Sequence, residues 1–98
     1  MSNNSKAVCY KGSVGIGIVV ETGIDLNSST SSVLNVKKPQ GSEVVWDADV
    51  YQTTKVIYVT EEGDFDEVGL YYIQARVEFG DSIFFGETTV LQVKDRYK

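Results

Sequence analysis

The sequence predicts an all-β sandwich of about seven short antiparallel strands, and three observations carry that expectation. Fifteen Val, six Ile and seven Thr stand against four Leu and three Ala. β-branched side chains lose rotamer freedom in a helix and pack well on a pleated surface. Apolar and polar residues alternate with a period of two over several stretches, and no window of roughly ten residues holds a helical period. Nine glycines punctuate the chain, leaving short strands bounded by turns roughly every eight to twelve residues, as in a sandwich.

The clearest strand is Leu70 to Phe79. Tyr71, Ile73, Ala75, Val77 and Phe79 share one face, and Leu70, Tyr72, Gln74, Arg76 and Glu78 share the other. Gly80-Asp81-Ser82 reads as a hairpin turn, and the chain returns through Ile83 to Val93, with Gly86 marking a bulge or crossing point. A second hairpin joins Val33–Lys38 to Glu43–Val50 through Pro39-Gln40-Gly41. On its return strand Val44, Trp46, Ala48 and Val50 face inward, while Val45, Asp47 and Asp49 face outward. Trp46 is then a large share of the core. Val14 to Glu21 places Ile16, Ile18 and Val20 on one face. Lys55 to Thr60 is apolar on both faces, as a central or interface strand is. The polar stretch 27–32 is a connection too short to separate domains.

A chain of 98 residues is one domain. The expected division is a polar N-terminal tail over 1–9, the sandwich over 10–93 and a basic C-terminal tail over 94–98. Nine basic and fourteen acidic residues give a net charge of −5, which disfavours phosphate backbones and predicts no nucleic-acid partner. The basic residues gather at the ends: Lys6 and Lys11 before the body, Lys94, Arg96 and Lys98 after it. Residues 12–93 hold four basic and thirteen acidic side chains, so the basic ends either solvate the tails or tie onto acidic neighbouring surfaces. No apolar run is long enough to span a membrane, and Met1–Lys6 lacks the apolar core of a signal peptide. No membrane partner is expected.

Histidine is absent, which removes the commonest general base and metal ligand. The expectation is a chain that is not an enzyme and carries no cofactor, metal or small-molecule substrate. Cys9, the sole cysteine, has no disulfide partner within the chain and reads as a small, partly buried thiol on a strand. Glu61-Glu62-Gly63-Asp64-Phe65-Asp66-Glu67 departs from the EF-hand spacing and reads as a solvated acidic loop. Asp47 and Asp49, two apart on one strand, read as a solvated face instead of an acid–base pair. Gly15-Ile16-Gly17 lacks the third glycine and the helix of a dinucleotide fingerprint. Tyr51, Tyr58, Tyr72 and Phe84 are candidate exposed aromatics that anchor a protein interface, pack in the ordinary way or stack on sugars. The interface residues expected are Tyr51, Tyr72, Lys94, Arg96 and Lys98.

Two series of residues resemble known patterns. Glu67-Val68-Gly69-Leu70-Tyr71 resembles the tyrosine corner of immunoglobulin-like domains, with Tyr71 bonding back to the preceding corner and Ile73 where antibody domains place a cysteine. Lys11-Gly12-Ser13-Val14-Gly15, Asp25-Leu26, Val36-Lys37-Lys38-Pro39-Gln40-Gly41, Trp46-Asp47-Ala48, Gly69-Leu70-Tyr71 and Gly86-Glu87-Thr88 follow one another in an order similar to small tailed-bacteriophage proteins and to the N-terminal module of phage baseplate upper proteins. That resemblance spans roughly residues 10 to 95. It implies an immunoglobulin-like sandwich that is a non-catalytic virion component, made in the host cytoplasm. Its implied partners are other virion proteins, copies of itself among them. Because the sequence stops at Lys98, the expected role is an accessory piece repeated on head, neck or tail. The alternative is a host-surface or carbohydrate-binding module.

Overall fold

The computed structural model describes residues 7–97. Among the described residues there are nine strands: β1 (Ala7–Tyr10), β2 (Gly17–Glu21), β3 (Ser31–Lys37), β4 (Glu43–Asp47), β5 (Asp49–Tyr51), β6 (Lys55–Val59), β7 (Gly69–Phe79), β8 (Ser82–Phe85) and β9 (Thr89–Lys94). They form two sheets. The larger runs β1-β9-β7-β3-β4, with β8 also paired to β7, and the smaller runs β2-β6-β5. All pairings are antiparallel except β1 with β9. The chain is an all-β sandwich, as its composition predicts.

β7 is the spine of the larger sheet, and its alternation holds as expected. Tyr71, Ile73, Ala75 and Val77 are fully buried, and β3 pairs along its other edge. Gly80 and Asp81 close the β7–β8 turn, with Phe79 opposite Ser82. β8 and β9 then lie in line along one edge of β7, but their registers differ by one residue. The extra residue makes a bulge at Gly86, whose N–H still donates to the Ala75 carbonyl at 3.0 Å.

The expected hairpin between β3 and β4 forms around Pro39-Gln40-Gly41. Gly41 takes φ +100° and donates to the Lys38 carbonyl at 2.9 Å, and Lys38 donates to Ser42 at 2.8 Å. The return strand does not run on to Val50. Ala48 stays tied to Ser32: its N–H donates to the Ser32 carbonyl at 3.2 Å, and the Ser32 hydroxyl donates to its carbonyl at 2.8 Å. Beyond Ala48 the chain crosses to the smaller sheet as β5. Trp46 is buried as expected, whereas Val50 is exposed at the sandwich margin.

Lys55–Val59 is the central strand of the smaller sheet, which explains why both its faces are apolar. β2 starts at Gly17, later than the sequence suggests, and leaves Ile16 exposed before it. Thr60 fixes that start: its hydroxyl accepts from the Ile16 N–H at 3.0 Å, and its carbonyl accepts from Gly15 at 2.8 Å.

Two boundaries move. Ala7–Cys9, expected within the tail, join Tyr10 in a strand because their backbone completes the exposed edge of β9. Cys9 thereby lies opposite Val93 and packs against the core. Lys94 likewise closes β9 and does not open a tail. The core between the sheets joins Leu34, Val36, Trp46, Leu91 and Val93 to Val20 and Val56, with Leu26 and Phe65 inserted from connections. Four aromatic rings thread it. Trp46 stacks on Tyr58 at 4.7 Å, and Phe65 stands edge-on to Trp46 at 6.0 Å and to Tyr71 at 5.5 Å.

Candidate interaction surfaces

In a sandwich the residues that alternate away from the core form two outer faces, and the sequence supplies apolar side chains to both. On the smaller sheet Val19 lies opposite Ile57, and Val59 lies opposite Gly17. Val19 and Val59 are exposed, Val59 by 55%. Tyr51, opposite Lys55, is exposed on the same face. On the larger sheet Val45, Tyr72, Ile83 and Phe85 are exposed. A shallow groove of about 590 Å³ crosses that face, lined by Asn35, Lys37, Glu43, Val45, Tyr72 and Gln74.

The two tyrosines expected at an interface are thus both exposed, but on opposite faces of the molecule, and they do not make one patch. Lys94 is half-buried at the end of β9, and Arg96 is exposed just beyond it. Lys98 lies outside the described residues, as does Lys6. Tyr58 and Phe84 are half-buried, and Tyr58 is committed to its stack on Trp46. Among the exposed residues that sequence reasoning did not select are Val19, Val59, Ile83, Phe85 and Tyr97. Strand alternation could have found the valines.

The candidate chemical groups are taken up by the fold. Asp47 ends β4 and Asp49 begins β5, so the pair expected on one strand is divided between two sheets by the crossing at Ala48. In the acidic connection, Asp64 accepts from the Tyr58 hydroxyl at 2.5 Å and from the Glu61 N–H at 2.7 Å. Burial first, then that carboxylate, pushes the Tyr58 hydroxyl far up. Asp66 pairs with Lys38, whose side chain is only 11% exposed. The pair holds the Asp66 carboxyl below its usual range and raises the Lys38 ammonium. Glu67 also faces Lys38 at 3.6 Å and accepts from the Gln40 N–H at 3.0 Å. Two of these acids therefore anchor the β3–β4 turn and do not simply face solvent. Burial pushes the Cys9 thiol up, which disfavours the reactive thiolate. Among the described residues no group of three Cys, Asp or Glu side chains is placed to hold a metal ion.

The tyrosine corner is present in its geometry. The buried Tyr71 hydroxyl accepts from the Glu67 backbone N–H at 3.1 Å. Gly69 takes φ +137° against the Pro39 ring, which seats the β3–β4 turn on the corner.

The fold and its surfaces define a β-sandwich whose exposed features are apolar patches and grooves. No family model matches the chain, and no curated protein matches it. Its fold is similar to that of CopC from Methylosinus trichosporium OB3b, with a TM-score of 0.64 and 16% identity over 97% of this chain and 89% of that one. At that identity the likeness is one of fold.

Proposed function

We propose that this chain is a non-catalytic structural protein of a tailed phage particle, acting through protein–protein contacts in repeated copies. The observation that carries the reading as a contact protein is the placement of exposed apolar side chains on both outer faces: Val19 and Val59 on one, Val45, Tyr72, Ile83 and Phe85 on the other. Such groups on a small acidic domain gain free energy when a neighbour covers them. The phage assignment rests on the series of residues that resembles phage proteins. Those residues serve the turn at Pro39-Gln40-Gly41, the core at Leu26 and Trp46, the corner at Gly69 and Tyr71, and the bulge at Gly86. The resemblance therefore bears on how the domain is built, and the outer faces bear on what it contacts.

The test is mass spectrometry of purified particles, with heads and tails separated. A stoichiometric amount in one fraction supports the reading and identifies the neighbours. Absence from intact particles rejects it. The groove beside Tyr72, with the amides of Asn35 and Gln74 and the Glu43 carboxylate, favours a second reading as a sugar-binding module. That reading requires binding of a glycan by the isolated domain and its loss in Tyr72→Ala.

A further inference from the structure

The end of β2 and the bulge between β8 and β9 enclose a groove of about 600 Å³, lined among others by Glu21, Thr22, Phe84, Phe85 and Glu87. It lies between two open edges, because among the described strands β2 pairs only with β6 and β8 only with β7. Phe85 is exposed beside it by 53%, whereas Phe84 turns inward opposite the buried Val77. Of its two carboxylates Glu21 pairs with Lys55 at 3.2 Å and accepts from the Gly23 N–H at 2.8 Å, and Glu87 has no ion-pair partner among the described residues. No lysine or arginine lines it, whereas three other surface grooves each include a lysine. Just past β9 stand Arg96 and Tyr97. Arg96 is exposed and has no ion-pair partner among the described residues, and Tyr97 is 99% exposed.

We propose that Arg96 and Tyr97 of one copy dock in this groove of a second copy, the tyrosine ring against Phe85 and the guanidinium on Glu87. The chemistry matches: a basic–aromatic pair meets an exposed phenylalanine beside a carboxylate that has no ion-pair partner among the described residues. The occupant is a second copy because the segment cannot reach its own groove. The run from Glu87 to Lys94 is close to extended and covers about 23 Å. The three residues from Lys94 to Tyr97 span at most about 11 Å. Donor and acceptor are different surfaces, so the contact is heterologous, and each added copy presents a fresh segment and a fresh groove. In such an open chain every added copy makes one contact of the same kind, so growth rises with concentration. The inference deepens the reading of the chain as a protein of repeated copies and rests on it, yet its test needs only the purified chain.

Sedimentation velocity of the full chain at rising concentration reads the association directly. The expected result is growth beyond dimer that weakens as salt rises to about 1 M, where screening is nearly complete. Tyr97→Ser and Glu87→Lys each lower the association constant by about tenfold or more. Mixed in equal amounts, these two variants form heterodimers that do not extend, since one keeps an intact groove and the other an intact segment. The charge exchange Arg96→Glu with Glu87→Lys in one chain regains growth. Thermal melts of these exposed-site variants check that each remains folded. A wild-type chain that stays monomeric, variants that associate like wild type, or a mixture without heterodimers overturns the proposal. Loss of this contact with the chain still stoichiometric in particles leaves the proposed function standing. Self-association of a chain absent from particles does the reverse.

Discussion

Tyr71 shows how one hydroxyl serves the fold. Its ring is a core residue, edge-on to Phe65, while its oxygen accepts the Glu67 N–H and relieves a buried polar group. Tyr71→Phe keeps the ring and orphans that N–H, so the variant is expected to lose about 1 kcal/mol of stability, read by urea unfolding. Next to it, Lys38 and Asp66 set a pH dependence. The Asp66 carboxyl titrates below its unfolded value in the folded chain. Its contribution is therefore complete above the ordinary carboxylate range, near pH ~4, and is lost as pH falls through the lower folded value. The Lys38 ammonium is raised, so its contribution is complete below about pH 10 and is lost only as pH rises further. Asp66→Asn is expected to melt below wild type at pH 7, with the gap closing toward pH ~2 as the native carboxylate protonates. A gap constant down to that pH would mean that the pair contributes nothing through charge.

Between elements, left-handed backbone conformations decide which turns tolerate change. Gly69 needs glycine twice over: its φ is +137°, and a Cβ there would sit 2.7 Å from the Pro39 Cβ. Gly69→Ala is expected to cost about 2–4 kcal/mol. At the bulge, Gly86 has no left-handed φ, and a Cβ there would meet only ordinary contacts at 3.8 Å. Gly86→Ala is expected to change stability by less than about 0.5 kcal/mol, because the bulge follows from register and not from glycine freedom. The turn between β5 and β6 is the opposite case. Gln52 and Thr53 take φ of 53° and 70° without being glycine, a strained conformation for a β-branched residue. Thr53→Gly is expected to stabilise the chain by up to about 1 kcal/mol, read in the same unfolding experiment, with no stabilisation if the left-handed turn does not persist in solution. These elements also mark what a sequence makes legible. Pro39-Gln40-Gly41 and Gly80-Asp81 are visible because their residue types favour turns, and Tyr71, Ile73, Ala75 and Val77 because alternation reports which side is buried. The turn at 52–54 is silent because it holds no Gly, Asn or Pro. The crossing at Ala48 is silent because alternation reports which side of a strand is buried and not which sheet the strand joins.

At the scale of the molecule, the same limit explains the surfaces. Exposure of Tyr51 and Tyr72 was legible from their strands, but their placement on opposite faces depends on pairing between segments distant in sequence. The edge strand β1 is legible only at Cys9, read as a strand thiol, because four residues carry no periodicity and only the free edge of β9 gives them a partner. That arrangement implies uneven stability. Among the described residues β1 is held by a single parallel pairing of four residues, whereas β7 is paired on both sides and supplies much of the core. A strand attached by one short ladder opens at a lower free energy than the body. Cys9 reports that opening, because its thiol is half-buried against the core and burial raises its pKa. A thiol reagent at neutral pH should label Cys9 slowly in the native chain, yet faster than global unfolding permits, and with little dependence on mild urea because a small opening exposes little surface. Labelling that follows the global unfolding free energy in both size and urea dependence would instead make β1 part of the cooperative core and the sandwich a single unit up to its edge.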